Sequence, residues 1–151
     1  MYHILKLYVK EEILYYIIKK RKCKIMTKKE TVLLYNLKSL DREKKLKLLL
    51  LRLGIRVKMV SPDSYSLTIG ELLEQKNPST QNNDKNVNIF PEEMMVMINL
   101  SNQTMDRLLS GIRQVGLGQI QLKAVLTEQN IKWNSIELHD ELLKEYHKYN
   151  S

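Results

Sequence analysis

Cysteine is almost missing from this chain, and its one instance, Cys23, sits in the N-terminal segment. Everything after that segment therefore lacks a disulfide, a thiolate nucleophile and any Cys-based zinc site, which fits a reducing compartment. Aromatic stacking material is thin as well: Phe and Trp occur once each, so burial must be aliphatic, supplied by a long run of Leu and seven Met. No apolar run approaches the roughly 18 residues of a membrane span; the longest near the start, Ile13 to Ile18, has six. A signal peptide is disfavoured, because the positive cluster Lys19 to Lys24 follows that stretch instead of preceding it. Catalytic signatures are missing too. There is no Gly-rich phosphate loop, no HExxH and no CxxC, and GLG at Gly116 to Gly118 reads as a helix stop followed by a turn. His139 and His147 have no carboxylate set at metal spacing and read as surface residues.

What is present is basic charge, unevenly placed. The formal net charge is +8, but residues 1–30 hold nine Lys or Arg against three Glu, leaving the remainder nearly neutral. Met26 opens a few polar residues that lead straight into a strand pattern, the way many compact bacterial domains begin. Residues 1–25 are therefore read first as an N-terminal extension from a mis-assigned start upstream of Met26; a native helical extension and an interfacial membrane helix are the other readings. Residues 26–151 are read as one domain.

Strand patterns fall at Thr31 to Leu37, Ile55 to Val60, Met94 to Leu100 and Ile120 to Thr127. Helical patterns fall at about Asp41 to Leu53, Thr68 to Glu74, Gln103 to Val115 and Ser135 to Tyr149, with capping-box spacings at Thr68/Glu71 and Asn134/Glu137 and stops at Gly54 and Gly116. Residues 75–91 are polar, Asn-rich and broken by Pro78, which predicts a mobile loop inside the domain. MMVMINL is apolar on both alternating faces, as a central strand covered from both sides would be. The expected fold is α/β: a small four-stranded sheet in order 2-1-3-4, strands 1 and 3 central, parallel, with helices on both faces. The alternative is a ferredoxin-like α+β sandwich with an extra C-terminal helix.

The stretch Glu92 to His147, and LKAVLTEQNIKWNSIEL within it above all, resembles a bacterial family of uncharacterised proteins, domain of unknown function 3783. VLLYNL, RLGIRVKMVSPDSY and the region Thr68 to Leu73 look like the first half of the same proteins. The resemblance implies no catalytic residues.

Two features carry functional expectations. In a parallel sheet all strand C-termini open onto one crevice. Asn36, Asn99, Ser101, Thr127, Asn130, Trp133 and Asn134 would gather there with Asp63 and Ser135, beside helix N-termini suited to an anionic metabolite. The bland reading of the same residues is caps, a satisfied turn and a Trp packing the last helix down. The second feature is a basic face, Lys38, Arg42, Lys45, Arg52, Arg56 and Lys58, with Lys44 and Lys47 between, set against only Asp41 and Glu43. It suits phosphates or an acidic protein, unless it is merely the solvated side of an amphipathic helix. A nucleic-acid platform is disfavoured, since Tyr35 alone offers a stacking ring on the central strands. The expectation is a small non-catalytic interaction or regulatory module of the bacterial cytoplasm, with a protein partner or a second copy of itself. It would have no cofactor, no metal and no membrane span. A small-ligand domain is the alternative.

Overall fold

The computed structural model describes residues 29–74 and 89–150, so the expectations for residues 1–25 and for most of the polar loop lie outside the described residues. Ten elements follow one another: β1 (Thr31–Tyr35), α1 (Leu40–Arg52), β2 (Arg56–Met59), a 3-10 turn (Pro62–Ser64), α2 (Ile69–Glu74), β3 (Met94–Ile98), α3 (Asn102–Gln114), β4 (Leu122–Val125), a second 3-10 turn (Asn130–Lys132) and α4 (Ser135–Asn150). The sheet order is β2-β1-β3-β4, with β1 and β3 central and both wholly buried.

The direction of the central pair departs from expectation. β1 runs parallel to β2 and β3 parallel to β4, but β1 and β3 are antiparallel, with Tyr35 opposite Met94 and Thr31 opposite Ile98. The all-parallel sheet is thus corrected to a mixed one, and the antiparallel ferredoxin-like alternative does not apply, because β1 pairs directly with β2 and β3 with β4 in parallel. Helices cover both faces. Ser135 of α4 reaches the Tyr35 hydroxyl on one face, and α1 and α3 pack together over the other, where a Cβ added to Gly111 would meet the Leu49 side chain.

The two halves repeat each other. Each central strand ends on an Asn at positive φ, Asn36 at 54° and Asn99 at 59°. Each is followed by a serine N-cap (Ser39, Ser101), a helix of 13 residues and a glycine at positive φ, Gly54 at 72° and Gly116 at 73°. A four-residue strand, a 3-10 turn and a second helix complete both halves. Asn tolerates the left-handed region better than other side chains, and a C′ glycine enters it without a Cβ clash, so the same local chemistry is used twice. Equivalent positions meet across the middle of the molecule. Leu33 pairs with Val96, Leu49 faces Gly111, and Thr68 bridges Asn134 in antiparallel fashion. An approximate two-fold axis through these three pairs accounts for the antiparallel centre.

Capping agrees with the sequence in most places. Thr68 and Glu71 form a reciprocal capping box, each side chain accepting the other's backbone N–H at 3.1 Å, and Asn134 accepts from Glu137 N at 2.8 Å. The cap of α1 is Ser39, accepting from Arg42 N at 3.2 Å, with Asp41 in the first turn.

Candidate functional site

Antiparallel pairing divides the expected crevice. The C-termini of β1 and β2 lie at one end of the sheet and those of β3 and β4 at the other, so Asn36 and Asp63 are held apart from Asn99, Ser101 and Thr127. The premise that one crevice collects all strand ends is corrected accordingly.

At the first end Asn36 is a hub. Its Nδ2 donates to the carbonyls of Phe90 (2.6 Å) and Glu92 (3.2 Å), and its Oδ1 accepts from the Tyr65 hydroxyl (3.0 Å). Around it lie four rings: Tyr65 stacks on Phe90 at 4.6 Å, Phe90 on His139 at 4.0 Å, and Tyr35 tilts against both Tyr65 and Phe90. The Tyr35 hydroxyl pairs with Ser135 Oγ at 2.8 Å, both residues fully buried. Burial pushes the Tyr35 phenol well above its ordinary range, and the hydrogen bond to Ser135 only partly opposes this. Tyr65 is raised by burial too, against a lowering contribution from Asn36. His139, read from sequence as a surface residue, is buried, its Nε2 3.0 Å from Glu92 and its Nδ1 3.1 Å from Asp140. Tyr35 is likewise no stacking platform, because its ring lies inside the core.

At the other end Thr127 and Asn130 form a closed turn. Asn130 Oδ1 accepts from Thr127 N (2.8 Å), Thr127 Oγ1 accepts from Asn130 N (3.1 Å), and Asn130 Nδ2 donates to the Val125 carbonyl (3.0 Å). Both residues are buried. Ser101 caps α3, accepting from Thr104 N, and its own N–H meets Glu30; Asn99 is exposed. Trp133 packs half-buried on the core, and its carbonyl accepts from Ile69 N at 2.8 Å. Asn134 caps α4. The polar groups gathered from sequence are thus engaged mainly with one another and with neighbouring backbone, an arrangement that shapes turns.

The basic face is partly neutralised. Arg42 forms a fork to Glu93, Nη2 to Oε1 at 2.7 Å and Nε to Oε2 at 3.0 Å, and its other nitrogen donates to the Leu117 carbonyl. Glu93, only 2% exposed, also accepts from Lys38 N at 2.9 Å. Sequence reasoning missed this carboxylate; its place between the Pro91 break and an apolar strand gave no periodic signal. Lys45 pairs with Asp41 at 3.1 Å and Lys47 with Glu43 at 2.5 Å. Lys58 is half-buried and donates to the Leu72 carbonyl at the end of α2, and burial lowers its pKa. Lys38, Lys44, Arg52 and Arg56 are exposed.

One feature escaped the sequence reading. On α1 three leucines lie outward, Leu40 at 73%, Leu48 at 54% and Leu51 at 73% exposure. With Lys44 they form one stripe at i, i+4, i+8, i+11, opposite the core-facing Leu46, Leu49 and Leu50. The run LKLLLLRL supplies both faces, and only the phase of the helix tells inner leucines from outer ones.

Fold and site together define a small α/β domain of two βαβα halves whose strand-end polar residues hydrogen-bond to one another and to neighbouring backbone, and whose first helix exposes three leucines. Residues 93–149, from Glu93 to near the end of α4, match the family model described as Domain of unknown function (DUF3783), in agreement with the resemblance. Neither a curated protein nor a solved structure matches the chain. Among the described residues no group of His, Cys, Asp or Glu is placed to hold a metal ion, and no helix is long and apolar enough to cross a membrane.

Proposed function

We propose that this protein is a small non-catalytic interaction or regulatory module of the bacterial cytoplasm, and that it acts through the outer face of α1. The carrying observation is the exposure of Leu40, Leu48 and Leu51 along one side of a single helix. Scattered surface leucines are ordinary, but three leucines aligned on one helix face, with charge within and around them, mark a surface suited to cover by another molecule. The internal hydrogen bonding of Asn36, Thr127 and Asn130 supports the same reading, since a ligand in either strand-end cluster would have to displace those bonds.

Two measurements on the full chain test it. Replacing Leu40, Leu48 and Leu51 together by Ser should leave the thermal midpoint within about 2 °C of the parent, because outward leucines contribute little to the fold. A metabolite library should leave the midpoint unmoved. A metabolite that raises it by mass action, with the effect abolished by Asn36→Ala or Asn134→Ala, would favour a small-ligand domain instead.

A further inference from the structure

Building on the interaction-module reading, we infer that the partner on α1 is an amphipathic helix with acidic flanks, contributed by another protein. The stripe from Leu40 to Leu51 is about 16 Å long at 1.5 Å per residue, the length of roughly three turns. It is convex and ridged, the shape onto which a second helix packs its own i, i+3, i+4, i+7 side chains. Its surroundings are positive: α1 holds five Lys or Arg against two acids, and with Lys45 paired to Asp41, Lys47 to Glu43 and Arg42 to Glu93, the excess rests on Lys44 and Arg52. Lys44 lies within the stripe, Arg52 borders it and Lys38 stands just before it, all exposed.

That charge decides between occupants. A second copy docking through the same stripe would bring two positive helices together. The N-terminal segment of this chain, with nine Lys or Arg against three Glu in residues 1–30, would meet the same repulsion. An acidic helix turns the repulsion into complementarity, which fixes register and speeds encounter while the leucines supply the buried contact.

The test uses the full isotope-labelled chain and two synthetic helices of about 18 residues, long enough to hold helical structure. Both carry the same leucine stripe; one has Glu on its flanks and the other Lys. The acidic peptide should shift the amide resonances of α1, and Leu48→Ser with Leu51→Ser should weaken it about tenfold. Raising salt from about 50 to about 500 mM should weaken it severalfold. Equal binding of both peptides, or binding of the acidic peptide that ignores the leucine replacements, overturns the proposal. If instead the chain dimerises and Leu48→Ser abolishes the dimer, the acidic-helix proposal falls while the interaction reading survives. If neither peptide nor a second copy uses the stripe and a metabolite stabilises the chain, both fall.

Discussion

Leu49 and Gly111 occupy equivalent positions in the two halves and meet where α1 crosses α3: a Cβ built on Gly111 would lie 2.7 Å from Leu49 Cδ1. One half supplies the bulk and the other the space. Gly111→Leu should overpack this crossing and cost about 2 kcal/mol, near 8 °C in midpoint for a domain of this size. Combining it with Leu49→Ala should recover more than half of that loss, because the removed methyls vacate the volume the new ones need. A thermal double-mutant cycle measures the coupling, and strictly additive losses would place the helices farther apart than described.

Arg42 and Glu93 make a second pairwise prediction. Glu93 is buried, so Arg42→Met removes its fork partner and leaves a carboxylate held only by Lys38 N–H. The expected loss is about 3 kcal/mol. Adding Glu93→Leu should return much of it, since an apolar pair avoids the desolvation that the ion pair must offset. Urea midpoints for the two single variants and the double decide this; a double variant no better than Arg42→Met would argue against a desolvation-dominated pair.

Alkaline pH should destabilise the fold through Tyr35. The native phenol is raised by burial while the unfolded one ionises near pH 10. A raised native value means the contribution is intact below about pH 10 and is lost as pH rises above it, by up to about 1.4 kcal/mol per pH unit. Tyr65, raised in the same direction, adds to the slope. In Tyr35→Phe the slope should shrink, while stability at neutral pH falls by about 1 kcal/mol because Ser135 Oγ loses its partner. Urea unfolding followed from about pH 8 to about pH 11.5 reads both effects. An unchanged slope in Tyr35→Phe would assign the alkaline loss elsewhere.

Element order, strand order and most caps were legible in the sequence, because Ser, Thr, Asn and Gly carry local backbone chemistry that does not depend on the rest of the chain. The direction of β3 was not. Burial on both faces looks the same in either direction, and the direction depends on the connection between α2 and β3, which has no periodicity to read. A signal was nonetheless available: strand, Asn, serine cap, helix, Gly and short strand occur twice in the same order, and that repeat points to two like halves facing each other. The candidate site fared less well for a related reason. Asn36, Thr127 and Asn130 are the residue types of a ligand site and of a turn alike, and only the hydrogen-bond partners separate the two. Phe90, Glu93 and His139 become informative only when the fold brings them beside residues tens of positions away.

Asn36 should be costly to lose, because it ties three segments together at its end of the sheet. Asn36→Ala removes bonds to two carbonyls and to Tyr65, and forces an alanine to adopt a φ of 54°. A loss of about 3 kcal/mol is expected, with Asn36→Gly about 1 kcal/mol milder because glycine accepts that backbone without strain. Equal losses for the two variants, measured in urea, would show that the hydrogen bonds alone set the cost.

Asn130 and Asn134 sit four residues apart and separate a turn from a cap. Asn130 is buried and its side chain makes two hydrogen bonds, accepting from Thr127 N and donating to the Val125 carbonyl, so Asn130→Ala leaves a buried N–H and a buried carbonyl without those partners. The expected loss is about 2 to 3 kcal/mol. Asn134→Ala removes one bond, to Glu137 N at a partly exposed helix start, and should cost about 1 kcal/mol. The order of the two losses discriminates a structural turn from a ligand site, because a residue kept for binding can be replaced with little effect on folding. If Asn130→Ala unfolds at the parent's urea midpoint while Asn134→Ala falls by its cap value, the Thr127–Asn130 turn is held by something other than its own hydrogen bonds, and a ligand at that end of the sheet becomes the better account. Trp133 emission, recorded on the same samples, reports whether the turn has moved, since Trp133 lies between the two asparagines in sequence and packs against the core.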